Sequence, residues 1–208
     1  MSLTRFFIFL WCLCTCLHAS AVRIMLQATN TGSNSTYALS ICQQIKKKLE
    51  LTPEVTVIIA QKSSKDNELQ ELATLANTLS IDLFVSIAVM ENHGTADTID
   101  IFTFTAMSDA TICLTDDAHP WISYADAHRP QQKKSNHYAH VIAESIAQNA
   151  RFHFACFGPS AIPYKILQGI QVSACAIECT VKNSFSCDYL IEEIALALQT
   201  VIPLLQPS

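Results

Sequence analysis

The chain carries little that would suit it to nucleic acid, and little that would suit it to a bilayer beyond its first residues. It has 13 Lys and Arg against 18 Asp and Glu, for a net charge of −5. Its only runs of cation are Lys46-Lys-Lys48 and Lys133-Lys134. Neither makes the basic stripe that a phosphate backbone requires, so nucleic-acid binding is not indicated. After residue 21 no apolar run is long enough to span a membrane as a helix. No pair of cysteines after residue 21 has C-x-x-C spacing, which argues against a structural zinc knuckle. There is no internal repeat and no low-complexity tract, which leaves an ordinary globular chain.

What is present begins with a leader. Arg5 supplies a positive start, 6–17 is an apolar core too short to cross a bilayer, and Ala19-Ser-Ala21 is a small-x-small cleavage signal. Together they predict a secretory signal peptide over 1–21 and a mature domain over 22–208, periplasmic or secreted. A lipidated Cys16 is the rival reading, and Leu13-Cys-Thr-Cys16 fits it poorly because the residue before the Cys should be smaller. The mature length suits a single domain with a sizeable core. Its cysteines are Cys42, Cys113, Cys156, Cys175, Cys179 and Cys187. That even number permits disulfides in an exported chain, but the spacing specifies none, and several lie at apolar positions where a small core residue would serve.

The hydropathy pattern alternates strand with helix. Strands are predicted over 22–26, 55–60, 81–89, 98–105 and 172–178, with a further candidate at 164–168. Helices are predicted over 36–50, 67–79, 135–148 and 187–201. The second helix places Leu69, Leu72, Leu75, Ala76 and Leu79 at helical spacing. Residues 106–134 read as a long surface loop and 151–163 as irregular. A βαβαβ opening points to an α/β fold, a single domain with a mixed, mainly parallel central sheet flanked by helices.

The segment 172–180, V-S-A-C-A-I-E-C-T, reads as a buried strand that ends on one carboxylate, Glu178. Burying an unpaired carboxylate costs several kcal/mol. Glu178 is therefore placed at the carboxyl end of the strand facing a cleft, where ligands of open α/β sheets bind. The plainer alternative is a Glu paired with a Lys or capping the next helix. Cys179 beside it suggests a thiol nucleophile, but alternate strand side chains face opposite ways, so the two diverge.

Three segments carry a resemblance. Residues 75–87, L-A-N-T-L-S-I-D-L-F-V-S-I, are similar to A-N-x-x-x-A-D-L-F-I-S-I-H-A-N of the zinc-dependent N-acetylmuramoyl-L-alanine amidases, the cell-wall amidases of the periplasm and of bacterial autolysins. Residues 166–183 resemble that family's V-L-R … V-P-A-V-L-V-E-x-G-F-x-S-N, and 135–142, S-N-H-Y-A-H-V-I, its S-x-x-L-A-x-x-I. Order and spacing agree from residue 22 to about 200. The resemblance implies an amidase-like fold and, in the family, zinc held by two histidines and a glutamate. A separate glutamate acts there as general acid or base in cleaving the bond between N-acetylmuramic acid and the L-alanine of the stem peptide.

Carried over residue by residue, the resemblance keeps only that separate glutamate, as Glu178. The first ligand histidine, from a G-H-G-G loop, falls on Asn30, and the ligand glutamate on Asn34 or Ser35. The second ligand histidine falls on Ala88, in a register fixed by Ser86-Ile87. The T-R motif after the second strand becomes Ala60-Gln61, and the Gly and Phe beyond the glutamate become Thr180 and Val181. Asn is a poor zinc ligand and Ala is none.

The implied reading is an exported amidase-like protein without zinc. It would bind peptidoglycan, stem-peptide fragments or a cell-envelope partner through Asn30, Asn34 and Glu178, with no metal and no cofactor. The alternative is an active peptidoglycan amidase with a relocated zinc site. Such a site would draw on His93 and the 106–134 loop (His119, His128, Asp116 and Asp117), or on His137 and His140 at i, i+3; His153 lies further along. A chance similarity would instead show as a fold in which 82–87 does not lie beside 172–178.

Overall fold

Short apolar runs bounded by polar turns become the strands of one sheet. A computed structural model of the chain describes residues 21–29, 35–60, 68–91, 96–105, 126–149, 154–182 and 185–206. In chain order these form β1 (Val22–Thr29), α1 (Ser35–Leu49), β2 (Val55–Ala60), α2 (Glu68–Thr78), β3 (Leu83–Glu91) and β4 (Thr98–Phe104). A 3-10 turn at Arg129–Gln131, α3 (Gln132–Gln148), β5 (Ala155–Ile162), a second 3-10 turn at Lys165–Leu167, β6 (Ser173–Val181) and α4 (Phe185–Leu205) follow.

The fold is a single α/β domain. Among the described residues the sheet has six strands in the order β2-β1-β3-β6-β4-β5. β2, β1, β3 and β6 run parallel; β4 is antiparallel to β6, and β5 is parallel to β4. β3 lies directly beside β6, as the resemblance requires. Parallel strands covered on both faces read as near-continuous apolar runs, and β3 is buried from Leu83 through Val89.

Right-handed crossovers assign the first two helices to opposite faces. The chain leaves β1 in one direction to reach β2, then crosses back to place β3 on the other side of β1. One face is covered by α1, α3 and α4, which pack Ile41, Ile45, Ile142, Ile146, Ile194 and Leu198 against Ile24, Leu26, Val85, Ile87 and Ile177. The other is covered by α2 and the segment around the second 3-10 turn. Here Leu72, Ala73, Ala76 and Leu167 meet Met25, Phe84, Ala174 and Ala176. No helix among the described residues is long and apolar enough to cross a membrane.

Two motif residues of the resemblance act as joints of this architecture. Asn77 on α2 donates through Nδ2 to the Gly169 carbonyl at 2.9 Å, and its Oδ1 accepts from the Gln171 N–H at 2.8 Å. Ser135 Oγ, buried on α3, accepts from the Ala174 N–H at 3.0 Å. Both therefore fix the entry into β6, the strand that carries Glu178.

Several expectations are corrected. Residues 164–168 are not a strand; Lys165–Leu167 is a 3-10 turn. The irregular 151–163 contains β5, an edge strand whose Gly158 and Pro159 hide its pattern. Pro lacks the N–H that an inner strand must donate, which confines it to edges and bulges. α3 begins at Gln132 rather than at residue 135, because a 3-10 turn leads into a polar first turn, and the loop expected over 106–134 accordingly ends earlier. Strand β6 continues past Glu178 to Val181. Leu69 and Leu75 face outward on α2, where the small residues Ala73 and Ala76 take the buried positions with Leu72. Residues 1–20 of the leader expected over 1–21, and residues 106–125, lie outside the described residues.

Candidate functional site

The strand order puts a switch point between β1 and β3. The connection from β1 leaves toward β2, and that from β3 leaves the other way. A crevice opens beyond strand ends at such a point. Strand register then lines up one row across four strands. Thr29 of β1 is opposite Ala88 of β3, Ala88 is opposite Glu178 of β6, and Glu178 is opposite Asp100 of β4. Alternation puts Glu178 on the same face as Ala174 and Ala176, the α2 face, and sends Cys179 to the other.

Each member of the row has a distinct chemistry. Thr29 Oγ1 and Ser86 Oγ are hydrogen-bonded at 2.7 Å. Ala88, at 1% exposure, offers a methyl group. Glu178 is half-buried, and its Oε1 accepts a short hydrogen bond from the Tyr164 hydroxyl. The expected partners, a Lys or a helix N-terminus, are thus replaced by a phenol. Directly opposite residues of an antiparallel pair hold their Cβ atoms about 5 Å apart. Asp100 is therefore the nearest carboxylate to Glu178 across the strand pair, and its Oδ2 accepts from Thr98 Oγ1 at 3.4 Å.

Tyr164 is held from two sides. Its ring stacks on Phe102 of β4 with centroids 5.7 Å apart and planes 13° from parallel. Its N–H donates to the Ile162 carbonyl at 2.8 Å, and its own carbonyl accepts from the Leu167 N–H at 2.9 Å. Burial raises the pKa of its phenol, and the hydrogen bond to Glu178 and that carboxylate's charge raise it further. Tyr164 thus keeps its proton and acts as the donor. Deeper on this face lies Gln27, 3% exposed; its Nε2 donates to the Ala28 carbonyl at 3.1 Å, and its Oε1 has no partner among the described residues.

Asn30, Asn34, His93, Asp116, Asp117, His119 and His153 lie outside the described residues. Ser35 is the first residue of α1. His128 is buried and meets Phe104 edge-on at 4.5 Å. His137 and His140 ride on α3, on the far side of the sheet from Glu178; His140 is exposed, and His137 lies 5.8 Å from the Tyr138 ring. Cys42, Cys175, Cys179 and Cys187 are buried on that same far side, and Cys156 is half-buried. Burial pushes the thiols of Cys42 and Cys175 up to about 12, and that of Cys179 well above its ordinary value. A thiol held protonated is a poor nucleophile, so Cys179 has neither the direction nor the ionisation for that role.

Zinc in the resembled family needs imidazole and carboxylate ligands arranged around one point. Position 88 supplies no donor atom, and the Thr29 and Ser86 hydroxyls are bonded to each other. Among the described residues no group of three or more His, Cys, Asp and Glu gathers anywhere. The described part of the row does not fit a zinc ion.

Tyr164, Asp100 and the Thr29–Ser86 pair were not identified from sequence. For Asp100 a signal existed: it falls between Ile99 and Ile101 and so must share the face opposite theirs. For Tyr164 none existed, because its role depends on where a turn places it.

Residues 25–192 match the family profile described as N-acetylmuramoyl-L-alanine amidase. Among solved structures the chain is similar to the N-acetylmuramoyl-L-alanine amidase of Clostridium difficile 630, with 18% identity and a TM-score of 0.57 over 88% of this chain and 98% of that one. It is similar to Ami1 of Mycobacterium smegmatis, with 11% identity and a TM-score of 0.59 over 89% and 98%. For AmiC2 of Nostoc punctiforme the values are 13% and 0.59 over 89% and 99%. No curated protein matches the chain in sequence. At these identities the structural likenesses speak for the fold, and the profile match, which spans most of the chain, speaks for the family: the chain belongs to the N-acetylmuramoyl-L-alanine amidases.

Proposed function

We propose that this family member is exported by its 1–21 leader and binds peptidoglycan or its stem-peptide fragments at the Thr29–Ala88–Glu178–Asp100 row, without zinc and without hydrolysis. The observation that carries the reading is Ala88, buried beside Glu178, on the position where the resemblance would set a ligand histidine. A metal acting as Lewis acid contributes several kcal/mol to the transition state of amide cleavage. Each 1.4 kcal/mol is about tenfold in rate. A lone Glu178 does not replace that contribution, but it remains a hydrogen-bond acceptor for amide and ammonium donors of a cell-wall fragment. Asn30 and Asn34, which follow β1 and precede α1, supply amide groups to the same crevice in this reading.

Co-sedimentation with purified peptidoglycan in the presence of a chelator tests it. The mature chain is expected in the pellet, and Glu178→Ala in the supernatant. Release of stem peptides that stops on adding chelator and depends on Glu178 would overturn the reading in favour of an amidase with a rebuilt metal site.

A further inference from the structure

We infer that Tyr164 is the positioning residue of this site: it fixes Glu178 through Oε1, so that Oε2 is left to accept from an N–H donor of a bound cell-wall fragment. The ligand half of this inference rests on the binding reading above; the Tyr164–Glu178 half does not.

A glutamate has three side-chain torsions, and half-burial on an open sheet face does not by itself select one arrangement. A tyrosine has two, and here both ends of the residue are tied. The backbone of Tyr164 is bonded on either side by Ile162 and Leu167, and the ring lies flat on Phe102. Fixing the ring fixes the point from which the O–H is given. That O–H is donated to Glu178 Oε1. The proton remains on the phenol, since burial and the adjacent carboxylate both oppose its loss. One carboxylate oxygen is therefore occupied by the protein and oriented before any ligand arrives, and pre-ordering of this kind is a direct gain in affinity. Ala88, opposite Glu178 on β3, has no polar atom that could compete for the second oxygen.

Tyr164→Phe keeps the ring and its stack on Phe102 and removes only the donor. Binding of soluble disaccharide–stem-peptide fragments to the full chain is measured by calorimetry for the wild type, Tyr164→Phe, Glu178→Ala and their double variant. Tyr164→Phe is expected to weaken binding about tenfold and to have no further effect on the Glu178→Ala background, which leaves the phenol no acceptor. The second readout needs no ligand. The alkaline tyrosinate absorbance of each Tyr164-containing protein, less that of its Tyr164→Phe counterpart, isolates the Tyr164 phenol. Glu178→Gln removes the charge that opposes ionisation, so this phenol is expected to ionise at lower pH in that variant, while burial still holds it above an ordinary tyrosine.

An unchanged Tyr164 titration in Glu178→Gln would overturn the inference. So would a loss of binding that is equal on both backgrounds, since Tyr164 would then act independently of Glu178. If the wild type binds no fragment, the binding reading fails by itself, and the titration still decides the Tyr164–Glu178 pair.

Discussion

The two faces of the sheet are built to different ends. The face under α1, α3 and α4 is closed along its length by Ile, Leu and Val, with buried cysteines filling small gaps. The face under α2 starts the same way, with Met25, Phe84, Ala174 and Ala176. Toward the carboxyl ends of the strands it then turns polar, through Gln27, Ser86, Thr29, Glu178 and Asp100. Alternation along the same strands divides the two faces: Ile177 and Cys179 turn into the closed core, and Glu178 between them turns to the polar row, where binding is proposed. A substitution is therefore expected to unfold the protein from one face and to alter its binding from the other.

The largest effect that would break this contrast is a core truncation. Ile177→Ala, at a fully buried position on the closed face, is expected to cost about 3–4 kcal/mol, read as a lower denaturant midpoint. A cost below that of the polar-face change described next but one would show that the closed face is not the main support. Gly158→Ala comes second. Gly158 has φ +98°, and a Cβ there would collide with the Ile101 carbonyl oxygen and stand 3.0 Å from the Ser160 nitrogen. A loss of about 2–3 kcal/mol is expected by thermal or chemical denaturation. The affected contact, β5 on β4, lies beside the strand that carries Phe102 and Asp100. Third, Thr29→Val leaves Ser86 without its partner and should cost about 1 kcal/mol. A substantially larger loss would mean that the polar row also bears structural load.

The smallest effect sharpens the comparison through pH. Glu193 of α4 is a buried carboxylate on the closed face; its Oε2 accepts from Asn149 Nδ2 at 2.9 Å, and its Oε1 has no partner among the described residues. Burial raises its pKa, and the hydrogen bond from Asn149 only partly offsets that. A carboxyl whose folded pKa lies above its unfolded value, about 4.3, favours the fold at low pH and loses that contribution as pH rises through the folded value. Glu193→Gln should therefore raise the melting temperature at neutral pH by a few degrees or less. The gain should disappear near pH 4, where the wild-type carboxyl is protonated. A gain independent of pH would point to packing rather than charge.

The fold was legible in the sequence wherever one physical signal dominated. β1, β2, β3 and β6 are apolar runs of strand length, and α1, α3 and α4 show a helical period, so the α/β architecture followed. Legibility failed where signals conflict. β5 is an edge strand of mixed exposure carrying Gly158 and Pro159, so it has no alternation to read. Residues 164–168 have the composition of a strand and the hydrogen bonding of a turn, because Tyr164 and Leu167 close it locally. α2 misled through its leucines, two of which face outward.

Of the row, the sequence singled out Glu178, the one carboxylate in an apolar run, and Ala88, whose register Ser86-Ile87 fixes. Tyr164, 14 residues from Glu178, joins it by tertiary placement alone. The motif residues that carried the resemblance divide in the same way. Asn77 and Ser135 bond the chain into β6 and so belong to the scaffold, which explains why the fold is readable independently of Asn30, Asn34, Ser35 and Ala88, the positions on which the resemblance sets its ligands.

The central claim is that this scaffold has outlasted the family's zinc site, and elemental analysis of the purified mature chain after mild dialysis tests it most directly. The account predicts zinc well below one ion per chain. One tightly held zinc per chain would contradict it, and would direct mutagenesis to His93, His119, His128, His137, His140 and His153.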